Sequence, residues 1–259
     1  MNDLTEGQRL YAVGDVHGRL DLLDDMLNRI GADLARRPHP RARVIMLGDY
    51  VDRGPDSRGV IARLLALREG APTATFLLGN HDSYVEEYLA RPDWYDRTYH
   101  WLHPAMGGAA TLASYGVSAA TQFDPSATRD AFAAALPPAH RDFLTGCELW
   151  SRVGGYVFVH AGIRPGVAME DQTRDDCIWI REPFLTSTED FGFKVVHGHT
   201  IVERVEHRPN RIAIDTGVAR GGQLSCLVLE GDSVALLGPR RLSRLPEGSG
   251  LGRSLWSVR

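Results

Sequence analysis

Six residues of this 259-residue sequence share one setting. Asp15, His17, Asp49, Asn80, His160 and His199 each follow a short apolar run and lie within two residues of a glycine. They offer carboxylate, imidazole and amide oxygen, and no thiolate. Such a mixed shell suits Mn²⁺, Fe or Zn²⁺ rather than Ca²⁺ or a thiolate-bound metal. Six ligands are too many for one tetrahedral ion and fit two ions about 3.5–4 Å apart, an arrangement that neutralises phosphoryl charge and generates hydroxide at neutral pH. One Asp-x-His alone would be weak evidence, because buried histidines are often satisfied by a backbone carbonyl. The repetition at separate strand ends, each beside a glycine that lets the backbone turn sharply, carries the reading.

These residues need elements to position them. Leu10–Val13, Val44–Leu47, Phe76–Leu78, Val157–Val159, Val195–Val196 and Ile212–Ile214 are short apolar runs closed by turn residues, which predicts buried strands. Between the first three runs, Leu23, Met26, Leu27, Ile30 and Leu34 mark one face of a helix over 20–34, and Val60–Leu67 marks a shorter one. Asp15, Asp49 and Asn80 follow one another at 34 and 31 residues, the spacing of βαβ units and a parallel sheet. Ligands of open α/β sheets bind beyond the carboxyl ends of the strands, where these residues stand. Residues 83–150 read as a helical insertion, with helices near Tyr84–Leu89, Ala127–Leu136 and Ala139–Leu144; Pro137-Pro138 separates the last two. The expected organisation is one domain over 1–238 and an Arg/Gly/Ser-rich carboxyl-terminal tail over 239–259, either mobile or a loose strap.

Gly14-Asp15-Val16-His17-Gly18, Gly48-Asp49-Tyr50-Val51-Asp52-Arg53-Gly54, Gly79-Asn80-His81-Asp82, His160-Ala161-Gly162 and His197-Gly198-His199 occur in this order. The set resembles the signature of the phosphoprotein phosphatase family, within the calcineurin-like metallophosphoesterases, and more narrowly its compact bacterial and phage serine/threonine phosphatases. The resemblance implies an α/β fold with a central β-sandwich flanked by helices. It implies one metal on Asp15, His17 and Asp49, and a second on Asp49, Asn80, His160 and His199, with Mn²⁺ the first choice and Fe or Zn²⁺ the others. It also implies in-line attack on phosphorus by a hydroxide shared between the ions. His81 matches the general acid and Asp52 the carboxylate that orients it. Arg53 matches a phosphate-binding arginine. Arg181, in Ile178-Trp179-Ile180-Arg181-Glu182, matches a second one. Asp215 is a candidate hydrogen-bond partner for a ligand histidine. Trp94, Tyr95, Tyr99 and Trp101 either pack the insertion or line a groove for peptide beside a phosphoserine.

The substrate expected from this resemblance is phosphoserine or phosphothreonine in proteins, with phosphotyrosine also open. The alternative on the same scaffold is a diadenosine tetraphosphate hydrolase; such enzymes often lack the Asp-Arg pair present here as Asp52-Arg53. A metal scaffold without activity would have lost a ligand or His81, and none is lost. The short segment Asp215–Gly222 implies no dedicated regulatory subunit. A net charge of −4 gives no reason to expect nucleic-acid binding. Cys147, Cys177 and Cys226 are odd in number and far apart, which argues against disulfides and zinc–thiolate sites. A polar Met1–Arg9 and the lack of any long apolar run lead to an expectation of a cytoplasmic protein with no membrane partner.

Overall fold

The computed structural model describes residues 4–70, 72–93, 95–96, 99–118 and 125–250. Strands and helices alternate first: β1 (Arg9–Val13), α1 (Leu20–Arg36), β2 (Ala42–Met46), α2 (Ser57–Arg68) and β3 (Thr73–Phe76). A mostly helical stretch follows, with α3 (Asn80–Ala90), the short hairpin β4 (Tyr95–Asp96) and β5 (Tyr99–His100), α4 (Gly108–Ser114), α5 (Pro125–Ala135) and α6 (Pro138–Thr145). Next come β6 (Trp150–Val153), β7 (Tyr156–Val159), α7 (Arg174–Trp179), β8 (Lys194–His197), β9 (Glu206–His207) and β10 (Arg211–Ala213). The chain then returns through β11 (Cys226–Glu230), β12 (Ser233–Leu237) and β13 (Leu242–Arg244).

One sheet has the order β13-β12-β11-β1-β2-β3 and the other β6-β7-β8-β10-β9. β1, β2 and β3 pair in parallel, as do β7, β8 and β10. Strand alternation builds three layers of core. On β1, Leu10 and Ala12 pack between the sheets with Phe158 of β7 and Ile212 of β10. Tyr11 and Val13 face the other way, onto Leu23, Met26 and Ile30 of α1. On β7, Val157 and Val159 point outward to Cys177 and Ile178 of α7. Period-two side-chain alternation thus gives β1 and β7 two apolar faces each, the pattern of sheets covered on both sides.

All six expected strands form, with shifted ends. β3 stops at Phe76, because Leu78 donates to the carbonyl of Glu148 at 2.8 Å and Leu77 forms a bridge with the same residue. The insertion contains a hairpin and α4 that the Ala- and Gly-rich sequence does not announce. Past residue 238, β13 pairs with β12, Leu245 is buried between the sheets, and Ser249 accepts the His207 N–H at 3.0 Å. Residues 242–250 are therefore a strap along the sandwich rather than a mobile tail; residues 251–259 lie outside the described residues. No helix among the described residues is long and apolar enough to cross a membrane.

Candidate active site

The loops after β1, β2, β3, β7 and β8 meet at one edge of the sandwich. Six non-glycine residues have positive φ among those described, and five are here: His17 (45°), Asp49 (51°), Asp52 (72°), Arg53 (69°) and His199 (60°). A left-handed backbone costs about 1–3 kcal/mol at a non-glycine residue, and such strain gathers at functional sites. Glycines allow the loops to close. A Cβ on Gly79 would stand 2.2 Å from an Asp49 carboxylate oxygen, and one on Gly198 would stand 2.1 Å from Asp15 Oδ1.

The site is buried and its donors are oriented. His160 Nδ1 faces the Leu47 carbonyl at 2.8 Å, and His17 Nδ1 faces that of Val51 at 3.1 Å. Each Nδ1 is thereby the N–H donor, and each Nε2 turns an unshared pair toward the site. There His160 Nε2 lies 3.4 Å from Asp49 Oδ1, and His17 Nε2 lies 3.5 Å from Asp49 Oδ2. Burial lowers the His160 imidazole and pushes His17 down to about 3, so both rings are neutral near pH 7. At His160 acceptor thus faces acceptor, an arrangement that a cation satisfies, whereas His17 Nε2 also accepts an N–H of Arg53 at 3.0 Å. Asn80 Oδ1 joins them, 3.0 Å from His160 Nε2 and 2.8 Å from His199 Nδ1. Donor atoms of Asp49, His160 and His199 lie within 4.8 Å of one another, and so do those of His17, Asp49 and His81. Nitrogen and oxygen donors without sulfur fit Mn²⁺, Fe or Zn²⁺.

Asp15 stands apart from these two tight groups. Its carboxylate accepts the His199 backbone N–H at 3.1 Å and is hydrogen-bonded to Asp215. Burial, Asp215 and Asp49 together hold its carboxyl well above the usual range. Asp215 is likewise pushed up to about 6 by burial, and it accepts the Gly217 N–H at 2.9 Å. Its observed partners are therefore Asp15 and a backbone amide rather than a ligand histidine. His197 is buried against the Phe184 ring, centroids 5.1 Å apart, away from the cleft.

His81 Nδ1 is 2.7 Å from Asp52 Oδ2. Asp52, fully buried, also accepts the Trp101 indole N–H at 2.9 Å and the Thr111 hydroxyl at 2.7 Å. Two residues of the insertion thus fix the orientation of the pair, and no motif marks them. Asp82 is another residue the motif reading left without a role. It accepts the N–H groups of Tyr50 (2.8 Å) and Gly79 (2.9 Å), tying the second and third loops together.

These groups line a cleft of about 340 Å³ with His17, Asp49, Asn80, His81 and His199 at its base. Arg53 and Arg181 are both in its wall, together with Tyr84, Tyr99, Trp179 and Arg220. The insertion's aromatic residues divide. Trp101 is buried, Tyr99 is 42% exposed and lines the cleft, and Trp94 and the Tyr95 side chain lie outside the described residues.

Residues 8–214 match the model of the calcineurin-like phosphoesterases. The chain is 27% identical over 234 residues to an asymmetrical bis(5'-nucleosyl)-tetraphosphatase of Halalkalibacterium halodurans, covering 83% of this chain and 87% of that one. It is 39% identical over 75 residues to a symmetrical bis(5'-nucleosyl)-tetraphosphatase of Dechloromonas aromatica, covering 29% of this chain and 24% of that relative's length. Among solved structures, one provisionally described as a diadenosine tetraphosphatase superposes with a TM-score of 0.62 at 20% identity, covering 96% and 97% of the two chains. A cold-active protein-tyrosine phosphatase of a psychrophilic Shewanella superposes with a TM-score of 0.60 at 17% identity, covering 92% and 80%. At these identities the superpositions show a shared fold.

Proposed function

This chain belongs to the calcineurin-like phosphoesterase family, and we propose that within it the protein is a metal-dependent hydrolase of dinucleoside polyphosphates. One observation carries this reading: two guanidinium groups, Arg53 and Arg181, share a cleft with the His/Asp cluster and with the rings of Tyr84, Tyr99 and Trp179. Guanidinium forks match phosphate oxygens, and aromatic rings match the faces of bases. A dinucleoside polyphosphate presents both. The similarity to a bis(5'-nucleosyl)-tetraphosphatase along most of the chain supports the same choice.

His17, Asp49 and Asp15 would hold one divalent cation, and Asp49, Asn80, His160 and His199 the other. When bound, the two cations would neutralise phosphoryl charge and lower the pKa of water. Arg53 and Arg181 would grip phosphate oxygens and set the line of displacement. Asp52 would hold Nδ1 of His81, leaving Nε2 to serve the leaving group. In the reaction a water oxygen bonds to one phosphorus and the P–O–P bridge breaks. The departing nucleotide oxygen keeps the bonding pair and takes a proton from His81, which the attacking water's proton later restores.

A second reading, a phosphoserine/phosphothreonine phosphatase, keeps one specific support: the intact Asp52–His81 pair at 2.7 Å. A serine alkoxide needs a proton far more than a phosphate oxygen does. The test is product analysis. Metal-stripped protein is incubated with diadenosine tetraphosphate, with and without Mn²⁺, and the products are separated by anion exchange. The proposal expects two nucleotides from each dinucleotide, only when Mn²⁺ is added. Intact dinucleotide, alongside free phosphate from a phosphoserine peptide, would move the assignment to the second reading.

A further inference from the structure

A second cavity adjoins the cleft. It measures about 550 Å³ and shares Arg53, Ala105 and Arg220 with it; elsewhere its wall is small or apolar, as at Leu102, Ala109 and Ala219. The two arginines therefore stand at the junction, with the His/Asp cluster on one side and an uncharged hollow on the other.

Arg220 reaches this junction on a tightly closed turn. Gly217 and Gly221 flank it in the left-handed conformation, at φ 79° and 83°. The Gly217 carbonyl accepts N–H groups from Arg220 (2.8 Å) and Gly222 (2.9 Å). The Thr216 hydroxyl donates to the Gln223 carbonyl at 2.6 Å, and Asp215 accepts the Gly217 N–H at 2.9 Å. The turn thus follows directly from the residue bonded to Asp15, and these bonds fix the backbone that carries Arg220 to the wall shared by the two cavities.

We infer that Arg220 binds the second phosphate of a polyphosphate chain whose first phosphate lies at the His/Asp cluster, and that the second cavity receives the nucleoside beyond it. A phosphomonoester carries its charge at one point, which Arg53 and Arg181 already face. A third guanidinium displaced toward an apolar hollow matches charge one phosphate further along, followed by a flat, largely apolar group. A phosphopeptide offers a neutral backbone at that distance unless its sequence is acidic. The inference rests on the dinucleotide reading for the nucleoside; the phosphate-chain part stands on the position of Arg220.

The test compares the wild-type protein with Arg220→Ala and with Ala109→Trp, which fills the second cavity without changing charge. On diadenosine tetraphosphate with Mn²⁺, each variant is expected to lose about tenfold to a hundredfold in kcat/KM, mainly through KM. The ratio of that value to kcat/KM for p-nitrophenyl phosphate should fall by a similar factor. Equal losses on both substrates, or none, would overturn the inference. A second arm does not depend on turnover: calorimetric titration with a β,γ-methylene analogue of ATP and with AMP. Wild-type protein should bind the triphosphate more tightly than AMP, and Arg220→Ala should erase most of that difference. If the dinucleotide is not cleaved but this pattern holds, the substrate reading fails and the Arg220 site survives. If the variant keeps the wild-type preference, or if Arg220 matters only for an acidic phosphopeptide, the inference fails whatever the enzyme cleaves.

Discussion

The space between the two sheets and the edge where their loops meet are built on opposite rules. Between the sheets, Leu10, Ala12, Ile45, Phe158, Ile212 and Leu227 are apolar, fully buried and carried on regular strands. At the edge, Asp15, Asp49, Asp52, Asp82 and Asp215 are as deeply buried, and five non-glycine residues have left-handed backbone. The first region lowers free energy through burial and packing. The second raises it, through desolvated carboxylates and strained backbone. The difference indicates a division of labour, in which a locally consistent core holds in place loops that would not adopt these conformations alone.

Changes confined to one region should separate activity from stability. The largest expected effect is at the edge. His81→Asn should lower turnover of a phosphoserine peptide by about 10²–10⁴-fold, the usual worth of a positioned acid. Its effect on a dinucleotide should be smaller, because a phosphate oxygen leaves without much help. The thermal midpoint should move little; a large fall in it would show that His81 serves the fold. The opposite substitution is Leu10→Ala between the sheets. It should cost about 2–5 kcal/mol in denaturant unfolding, while kcat per folded molecule stays near wild type.

Asp215 gives a subtler test of stored cost. Burial pushes its carboxyl up to about 6, above its unfolded value, so the folded state favours the protonated form. The stability it contributes is present at acid pH and is lost as pH rises through about 6. Metal-free Asp215→Asn should therefore match the wild type near pH 4 and exceed it by up to about 3 kcal/mol near pH 8. Parallel curves for the two proteins would contradict the assignment. The smallest effect belongs to Trp101→Phe, which removes one of three donors to the Asp52 carboxylate. It should lower kcat about tenfold for an alkyl phosphate, and less for p-nitrophenyl phosphate, whose leaving group needs no acid. Equal losses on both would point to a general disturbance.

Much of this division was legible in the sequence. Runs of two to four apolar residues closed by turn residues placed six strands, and the motif residues fell at their carboxyl ends because short loops follow strands closely. What sequence did not carry was side-chain traffic between distant segments. Trp101 and Thr111 lie 49 and 59 residues beyond Asp52, in Ala- and Gly-rich sequence with little periodicity, yet both bond its carboxylate. Arg220 was one of many arginines, and only the fold sets it beside Arg53. The strap at 242–250 was hidden by its Arg- and Gly-rich composition, because edge pairing needs only backbone. The choice between the two phosphoesterase substrates was also not legible. Asp52-Arg53 inclined the sequence reading toward protein phosphatases, whereas a relative matching 83% of the chain is named a bis(5'-nucleosyl)-tetraphosphatase.

The most direct measurement is an internal competition. Diadenosine tetraphosphate and a phosphoserine peptide at equal concentration are mixed with Mn²⁺-loaded protein, and both are followed by chromatography. Their relative rates of loss give the ratio of kcat/KM without error from enzyme concentration. The dinucleotide should disappear first, by about tenfold or more if a second phosphate and a stacked base each add a contact. Preferential loss of the peptide would contradict this and make the cleft that of a protein phosphatase.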